Sequence, residues 1–73
     1  MISKRRFVSK LRELGYEFKE QLHFQERYRL KGGTHVIHVP RKNDLDIEFV
    51  CSTLKQAGQT KEQIDQFVRD AKA

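Results

Sequence analysis

The 73-residue chain has only one cysteine, one proline and no tryptophan, and it lacks any long apolar run. With Cys51 as its single thiol, the chain cannot form an internal disulfide, which favours a reducing, cytoplasmic setting. No apolar segment approaches the roughly 18 residues of a membrane span, and the N-terminal Met-Ile-Ser-Lys-Arg-Arg lacks the apolar core of a signal peptide. We therefore expect one cytoplasmic domain, residues 1–73.

Positive charge is in excess, with 15 Lys and Arg against 10 Asp and Glu and a net charge of +5. Residues 1–14 carry five basic side chains and one acidic, residues 15–44 carry six and four, and residues 45–73 carry four and five. A positive field on the first half of the chain is typical of a phosphate-binding surface, but an ordinary solvated face has the same composition. Charge alone leaves both interpretations open.

Apolar spacing predicts three helices. Ser3 is placed to cap the first helix and Gly15 to end it; Asp44 or Asp46 caps the second, and Gly58 ends it. Thr60 and Gln63 match a capping box at the start of the third. The apolar stripes are Phe7, Val8, Leu11 and Leu14; Ile47, Val50, Cys51, Leu54 and Ala57; and Ile64, Phe67, Val68 and Ala71.

Alternation predicts three strands, 16–21, 24–31 and 34–39, with a hairpin at Gly32-Gly33 and Pro40 closing the third strand. One face of the middle strand would carry Phe24, Glu26, Tyr28 and Leu30; the other would carry His23, Gln25, Arg27 and Arg29. We expect Phe24 and Tyr28 in the core, with base stacking as the alternative. The order α-β-β-β-α-α predicts an α+β fold with helices on one face of a three-stranded antiparallel sheet.

Three segments, KLRELGY (10–16), HVPR (38–41) and LKQAGQTKEQIDQF (54–67), together resemble the HicA-type (YcfA-like) mRNA interferase toxins over almost the whole chain. The resemblance implies a double-stranded-RNA-binding-domain-like α-β-β-β-α fold, here with an extra C-terminal helix. It also implies ribosome-independent endonuclease cleavage of mRNA without a cofactor, as the toxin of a toxin–antitoxin system in the stress response. A HicB-type antitoxin that covers the active site would be the protein partner.

The resemblance also implies a catalytic histidine at the start of the second strand. A gap-free alignment anchored on Gly15 and Tyr28 places Gln25 at that position, and glutamine cannot exchange a proton near neutral pH. His23 lies two residues earlier, about 7 Å along a strand, and could serve as the base instead. Two hypotheses follow: a metal-independent endoribonuclease that uses His23, or a non-cleaving RNA-binding or antitoxin-binding module. His23 could equally be an RNA contact or an ordinary solvated turn residue.

Basic residues around this position are the candidate RNA contacts. On the middle strand Arg27 and Arg29 share the face of His23, and the expected hairpin register sets His38 near Arg27. The full predicted set is Lys4, Arg5, Lys10, Arg27, Arg29, Lys31, His38, Arg41 and Lys42. We expect no metal site, since His35 and His38 point to opposite faces and no carboxylate or thiolate completes a ligand set. His35 is expected to be partly buried and bonded to a neighbour, and Cys51 to be a core thiol.

Overall fold

A computed structural model describes residues 1–72 as an α+β domain with a three-stranded antiparallel sheet and three helices. The elements in chain order are β1 (Ile2–Ser3), α1 (Lys4–Glu13), β2 (Tyr16–Gln21), β3 (Gln25–Leu30), β4 (Val36–Pro40), β5 (Asp44–Leu45), α2 (Ile47–Gln56) and α3 (Lys61–Lys72). The predicted order of helices and main strands is confirmed. None of the helices in this described part is long and apolar enough to cross a membrane.

The helix ends follow the predicted capping signals. At the start of α1, Ser3 Oγ accepts a hydrogen bond from the Arg6 N–H at 3.1 Å, and Gly15 after its end takes a φ of +97°. At the start of α3, the Thr60 N–H donates to Gln63 Oε1 at 2.8 Å and the Gln63 N–H donates to Thr60 Oγ1 at 3.1 Å. The capping box is therefore complete, and it satisfies two donors that a helix N-terminus otherwise leaves unpaired.

The three main strands pair in the order β2-β3-β4, and the pairing sets which side chains face the helices. Phe18 lies opposite Tyr28, and Arg27 lies opposite His38. On the helix-facing side the sheet buries Tyr16, Tyr28, Ile37 and Val39, whereas the other side shows exposed or half-buried side chains. The helices therefore cover one face of the sheet, as predicted, and the second face is open. A bulge between Phe18 and Glu20 interrupts β2, the strand at one edge.

A short two-stranded ribbon, which the sequence did not predict, pairs the residues before α1 with the segment after β4. Ile2 pairs with Leu45 and Ser3 pairs with Asp44, and the Lys4 N–H donates to the Asn43 carbonyl at 2.8 Å. Asp44 is therefore part of β5, and Asp46 takes the N-cap position of α2 without a side-chain cap hydrogen bond among the described residues. The ribbon anchors the start of α1 beside the segment that follows β4.

The core lies between the sheet and the helices. Its buried apolar side chains are Ile2, Phe7, Val8, Leu11, Tyr16, Tyr28, Ile37, Val39, Leu45, Val50, Leu54 and Ile64. Cys51 is half-buried and packs against this cluster, as expected of a core thiol. Each fully buried large side chain contributes about 1.5–3 kcal/mol relative to an exposed one, and the helices and the strands both supply such side chains.

Two predictions about the bend between β2 and β3 are wrong. The Leu22 N–H donates to the Gln25 carbonyl at 2.7 Å, so His23 and Phe24 form the bend and the ladder of β3 begins at Gln25. His23 is therefore not on the face shared by Gln25, Arg27 and Arg29, and Phe24 is not in the core but 80% exposed. Alternation orders side chains only where the backbone is paired, and Phe24 lies just outside the paired segment.

Candidate nucleic-acid interface

The predicted RNA contacts lie in two neighbouring groups, which also include residues outside the predicted set, and at three isolated positions. One group, the hairpin end, is formed by Lys4, Gln21, His23, Glu26 and Arg41. The second group, the open sheet face, is formed by Arg27, Arg29 and His38. Lys42 follows Arg41 directly in the chain, while Arg5, Lys10 and Lys31 lie elsewhere.

Arg41 ties the hairpin end together. Its backbone N–H donates to the Phe24 carbonyl at 3.2 Å, and its Nη1 donates to the His23 carbonyl at 3.4 Å. When the Gln21 amide is oriented with its oxygen towards the guanidinium, that oxygen accepts from both terminal nitrogens of Arg41 at 3.2 Å. These acceptors are neutral, and among residues 1–72 no carboxylate lies within ion-pair distance of Arg41. Arg41 therefore has no direct ion-pair partner in this part of the chain, although its charge also acts on the nearby Glu26 carboxylate.

Glu26 is the acidic centre of the hairpin end. The Lys4 Nζ donates to Glu26 Oε2 at 2.7 Å, and the Tyr28 hydroxyl donates to Oε1 at 3.1 Å. Burial by itself would raise the pKa of Glu26, but the hydrogen bonds from Lys4 and Tyr28 and the charges of Lys4 and Arg41 hold it below its ordinary value. Burial and the Glu26 carboxylate raise the pKa of Tyr28 to about 12. Glu26 is thus ionised and Tyr28 protonated at neutral pH.

The role of Glu26 escaped the sequence-based prediction. The only signal was a carboxylate placed on the otherwise apolar face of Tyr28 and Leu30. A charged group on a buried face requires a partner, because an unpaired buried charge is strongly destabilising. That partner, Lys4, comes from α1, so the Lys4 ammonium is engaged rather than free.

His23 is exposed at the tip of the bend. Its ring contacts the Phe24 ring edge-on, with centroids 4.3 Å apart and an angle of 80° between the ring planes. Within the described chain no side chain donates to or accepts from the His23 ring nitrogens. Both nitrogens are therefore accessible to a ligand, but no carboxylate orients the ring as it does in many catalytic histidines.

On the open sheet face one predicted pair of neighbours is confirmed, and both arginines contact acceptors within the protein. Arg27 and His38 are direct cross-strand partners, as the predicted hairpin register required. Arg27 also forms an ion pair with Glu20, and Arg29 Nε donates to the Gly33 carbonyl at 3.0 Å. The face therefore presents one arginine neutralised by a carboxylate and one held by a neutral carbonyl.

The remaining predicted contacts are spread over the surface. The Lys31 N–H donates to the Gly15 carbonyl at 2.8 Å at the opposite end of β3, roughly 17 Å along the strand from the bend. The expectation that Lys31 lies near His23 is therefore wrong. Lys10 Nζ lies 3.8 Å from Glu13 on α1, and Arg5 is exposed on the same helix. These positions could contact a long RNA but do not belong to the hairpin end.

His35 is excluded from the interface by a contact with the core. The Tyr16 hydroxyl lies 2.5 Å from His35 Nδ1, and the two rings meet edge-on, which confirms the predicted half-buried, bonded histidine. Burial raises the pKa of Tyr16, so this hydroxyl stays protonated at neutral pH, and the His35 tautomer sets which of the two groups donates. Across residues 1–72 there is no group of three or more His, Cys, Asp and Glu side chains that could hold a metal ion.

Comparison of the chain with protein-family models, with curated proteins and with solved structures finds no match. Function is therefore inferred from the residues and their geometry.

Proposed function

We propose that this protein binds RNA through the hairpin end, as a relative of the HicA-type toxins with their double-stranded-RNA-binding-domain-like fold. The observation that carries the proposal is Arg41, whose guanidinium contacts only neutral oxygens beside an exposed His23. Lys42 follows Arg41 in the chain, and the open face adds Arg29. Cations held by neutral groups keep their charge for phosphate, which dominates the affinity of RNA-binding proteins.

A variant pair tests RNA binding. Binding of a fluorescent single-stranded RNA would be measured by anisotropy over a range of salt concentrations. Arg41→Gln removes one phosphate contact and should lower the affinity for RNA. The slope of log K against log salt concentration should also become shallower, by about 0.7 for a single strand. Lys61→Gln, at the start of α3 and away from the hairpin end, is the matched control and should bind like the wild type. Equal losses in both variants would contradict a localised site.

RNA cleavage is the second candidate function, and the exposed ring of His23 beside Arg41 is the observation that favours it. In this reaction His23 takes the proton of a 2′-hydroxyl, and that oxygen bonds to the adjacent phosphorus. The bond from phosphorus to the 5′-oxygen breaks, and the leaving oxygen takes a proton from solvent water. Arg41 stabilises the charge that develops on the phosphate oxygens, and the reaction needs no metal.

Incubation of the purified protein with an unstructured RNA in EDTA separates the two candidates. Cleavage that survives EDTA and is abolished by His23→Ala supports His23 as the base. Cleavage that is unchanged in His23→Ala refutes that role, and salt-sensitive RNA retention without cleavage identifies a non-cleaving RNA-binding module. An absence of both cleavage and retention overturns the proposal of an RNA-binding site.

The toxin assignment has its own test in cells. As a HicA-type toxin acting on mRNA, the protein should arrest growth on expression, and a HicB-type antitoxin encoded by the neighbouring reading frame should relieve the arrest. The Arg41→Gln variant should arrest growth less at equal protein level. Arrest that persists in Arg41→Gln would separate toxicity from the hairpin end.

A further inference from the structure

Phe24 is the most exposed large apolar side chain in the described chain, at 80%, compared with 47% for Phe18 and 36% for Leu22. The exposed ring does not stabilise the fold, because a phenylalanine contributes to stability by being buried. The bend that carries it is held by the backbone: Leu22 N–H to the Gln25 carbonyl, and Arg41 N–H to the Phe24 carbonyl. The Phe24 ring is therefore not needed to form the turn.

The surroundings of the Phe24 ring are polar and cationic. The His23 ring lies against it, the Arg41 guanidinium is hydrogen-bonded to the His23 carbonyl, and Lys42 follows Arg41. A protein-docking surface is typically a contiguous apolar patch, whereas Leu22 is the only other exposed apolar residue at this bend. An exposed aromatic ring beside cations is instead the combination by which proteins hold unpaired nucleotides, with the ring stacked on a base and the cations on the backbone.

We propose that Phe24 is a stacking platform for an unpaired nucleobase, so that the ligand of the hairpin end is single-stranded rather than double-stranded RNA. This inference rests on the proposed RNA binding and specifies its substrate class. Bases within a duplex are already stacked and paired, so they do not offer a face to a ring at the tip of a bend. The hairpin end therefore selects loops, tails and unstructured segments of RNA.

The absence of tryptophan from the chain gives a direct probe. In Phe24→Trp the new indole is the only one in the protein, and a stacked base should quench its fluorescence when a single-stranded oligouridylate or oligoadenylate is added. Phe18→Trp is the matched control, since Phe18 is exposed but lies on β2 against Tyr28. The control should show little quenching at the same RNA occupancy, as measured independently by anisotropy.

Affinity measurements complete the test. Loss of one base–aromatic stack weakens single-strand binding about 5- to 150-fold, so Phe24→Ala should lose this much and Phe24→Leu nearly as much, while Phe24→Tyr stays close to wild type. Binding to a matched RNA duplex should be weak and nearly equal in all four proteins. Circular dichroism of each variant confirms that the exposed substitution leaves the fold intact.

The outcomes distinguish the two levels of the proposal. If the wild type binds no RNA, the proposed function fails and stacking fails with it. If the wild type binds RNA but Phe24→Ala binds equally well and Phe24→Trp is not quenched, stacking is overturned while RNA binding stands. If Phe24→Ala leaves RNA affinity unchanged but abolishes a concentration-dependent self-association of the wild type, the ring is a protein contact and stacking is again overturned.

Discussion

Replacing Glu26 with glutamine, a side chain of nearly the same shape, should weaken the attachment of α1 to β3. The carboxylate accepts hydrogen bonds from Lys4 Nζ at 2.7 Å and from the Tyr28 hydroxyl at 3.1 Å. A hydrogen bond to a charged group contributes about 1.5–3 kcal/mol and a neutral one about 0.5–1.5 kcal/mol, so the loss of charge should cost about 1 kcal/mol. The side chains of Lys4 and Glu26 are 24% and 13% exposed, which limits screening of the pair by solvent.

Urea unfolding and thermal melts measure this effect. For a domain of this size about 1 kcal/mol corresponds to a fall in Tm of about 4–8 °C. Glu13→Gln is the matched control, since Glu13 is 70% exposed and lies 3.8 Å from Lys10. An exposed ion pair on a helix surface contributes about 0.3–0.5 kcal/mol, so Glu13→Gln should lower stability by no more than this.

The pH dependence provides the decisive check. Glu26 has a pKa below its ordinary value of 4.5 in the folded state, so its contribution to stability is full above that value and is lost as pH falls through the folded pKa. The difference in unfolding free energy between wild type and Glu26→Gln should therefore be largest at neutral pH and shrink below pH 4.5. A difference that stays constant from neutral to acidic pH, or that equals the effect of Glu13→Gln, would refute the reasoning.

Three further tests concern the core, the half-buried contact and a helix cap. Leu54→Ala should destabilise the domain by about 2–5 kcal/mol in urea unfolding, because Leu54 is fully buried. Leu22 is exposed, so the control Leu22→Ala should cost less than about 1 kcal/mol. Tyr16→Phe removes the hydrogen bond to His35 and should cost about 1 kcal/mol; an unchanged midpoint would mean that the contact contributes nothing. Thr60→Ala should lower stability by about 0.5–2 kcal/mol and Thr60→Ser should restore most of it, as measured by Tm.

Much of the fold could be predicted because its signals are local. The stripe of Phe7 and Leu11, the cap at Ser3 and the capping box at Thr60 depend on residues within one or two turns of each other. The pairing of Arg27 with His38 also followed from a short hairpin loop, which ties the register of two strands to the turn between them. Such features reflect periodicity and turn chemistry, which operate over a few residues.

The candidate site was less predictable, because its contacts join segments far apart in the chain. Lys4 meets Glu26 and Arg41 meets Gln21 only after α1, the β2–β3 hairpin and the segment after β4 are packed together. The candidate RNA contacts were chosen by residue type, and Lys31 was therefore grouped with residues from which the length of β3 separates it. The position of a charged side chain on the surface depends on the folded backbone.

The amino-acid order alone establishes the three amphipathic helices, the alternation of the strands and the excess of positive charge on residues 1–44, since each depends on composition or short-range spacing. Only the packed structure shows the ribbon of Ile2–Ser3 with Asp44–Leu45, the ion pair of Lys4 with Glu26, and the exposure of Phe24 to solvent. A shift of one residue in where β3 begins turned an expected core ring into an exposed one. The starting point depends on a local hydrogen bond, Leu22 N–H to the Gln25 carbonyl, and on a tertiary one, Arg41 N–H to the Phe24 carbonyl.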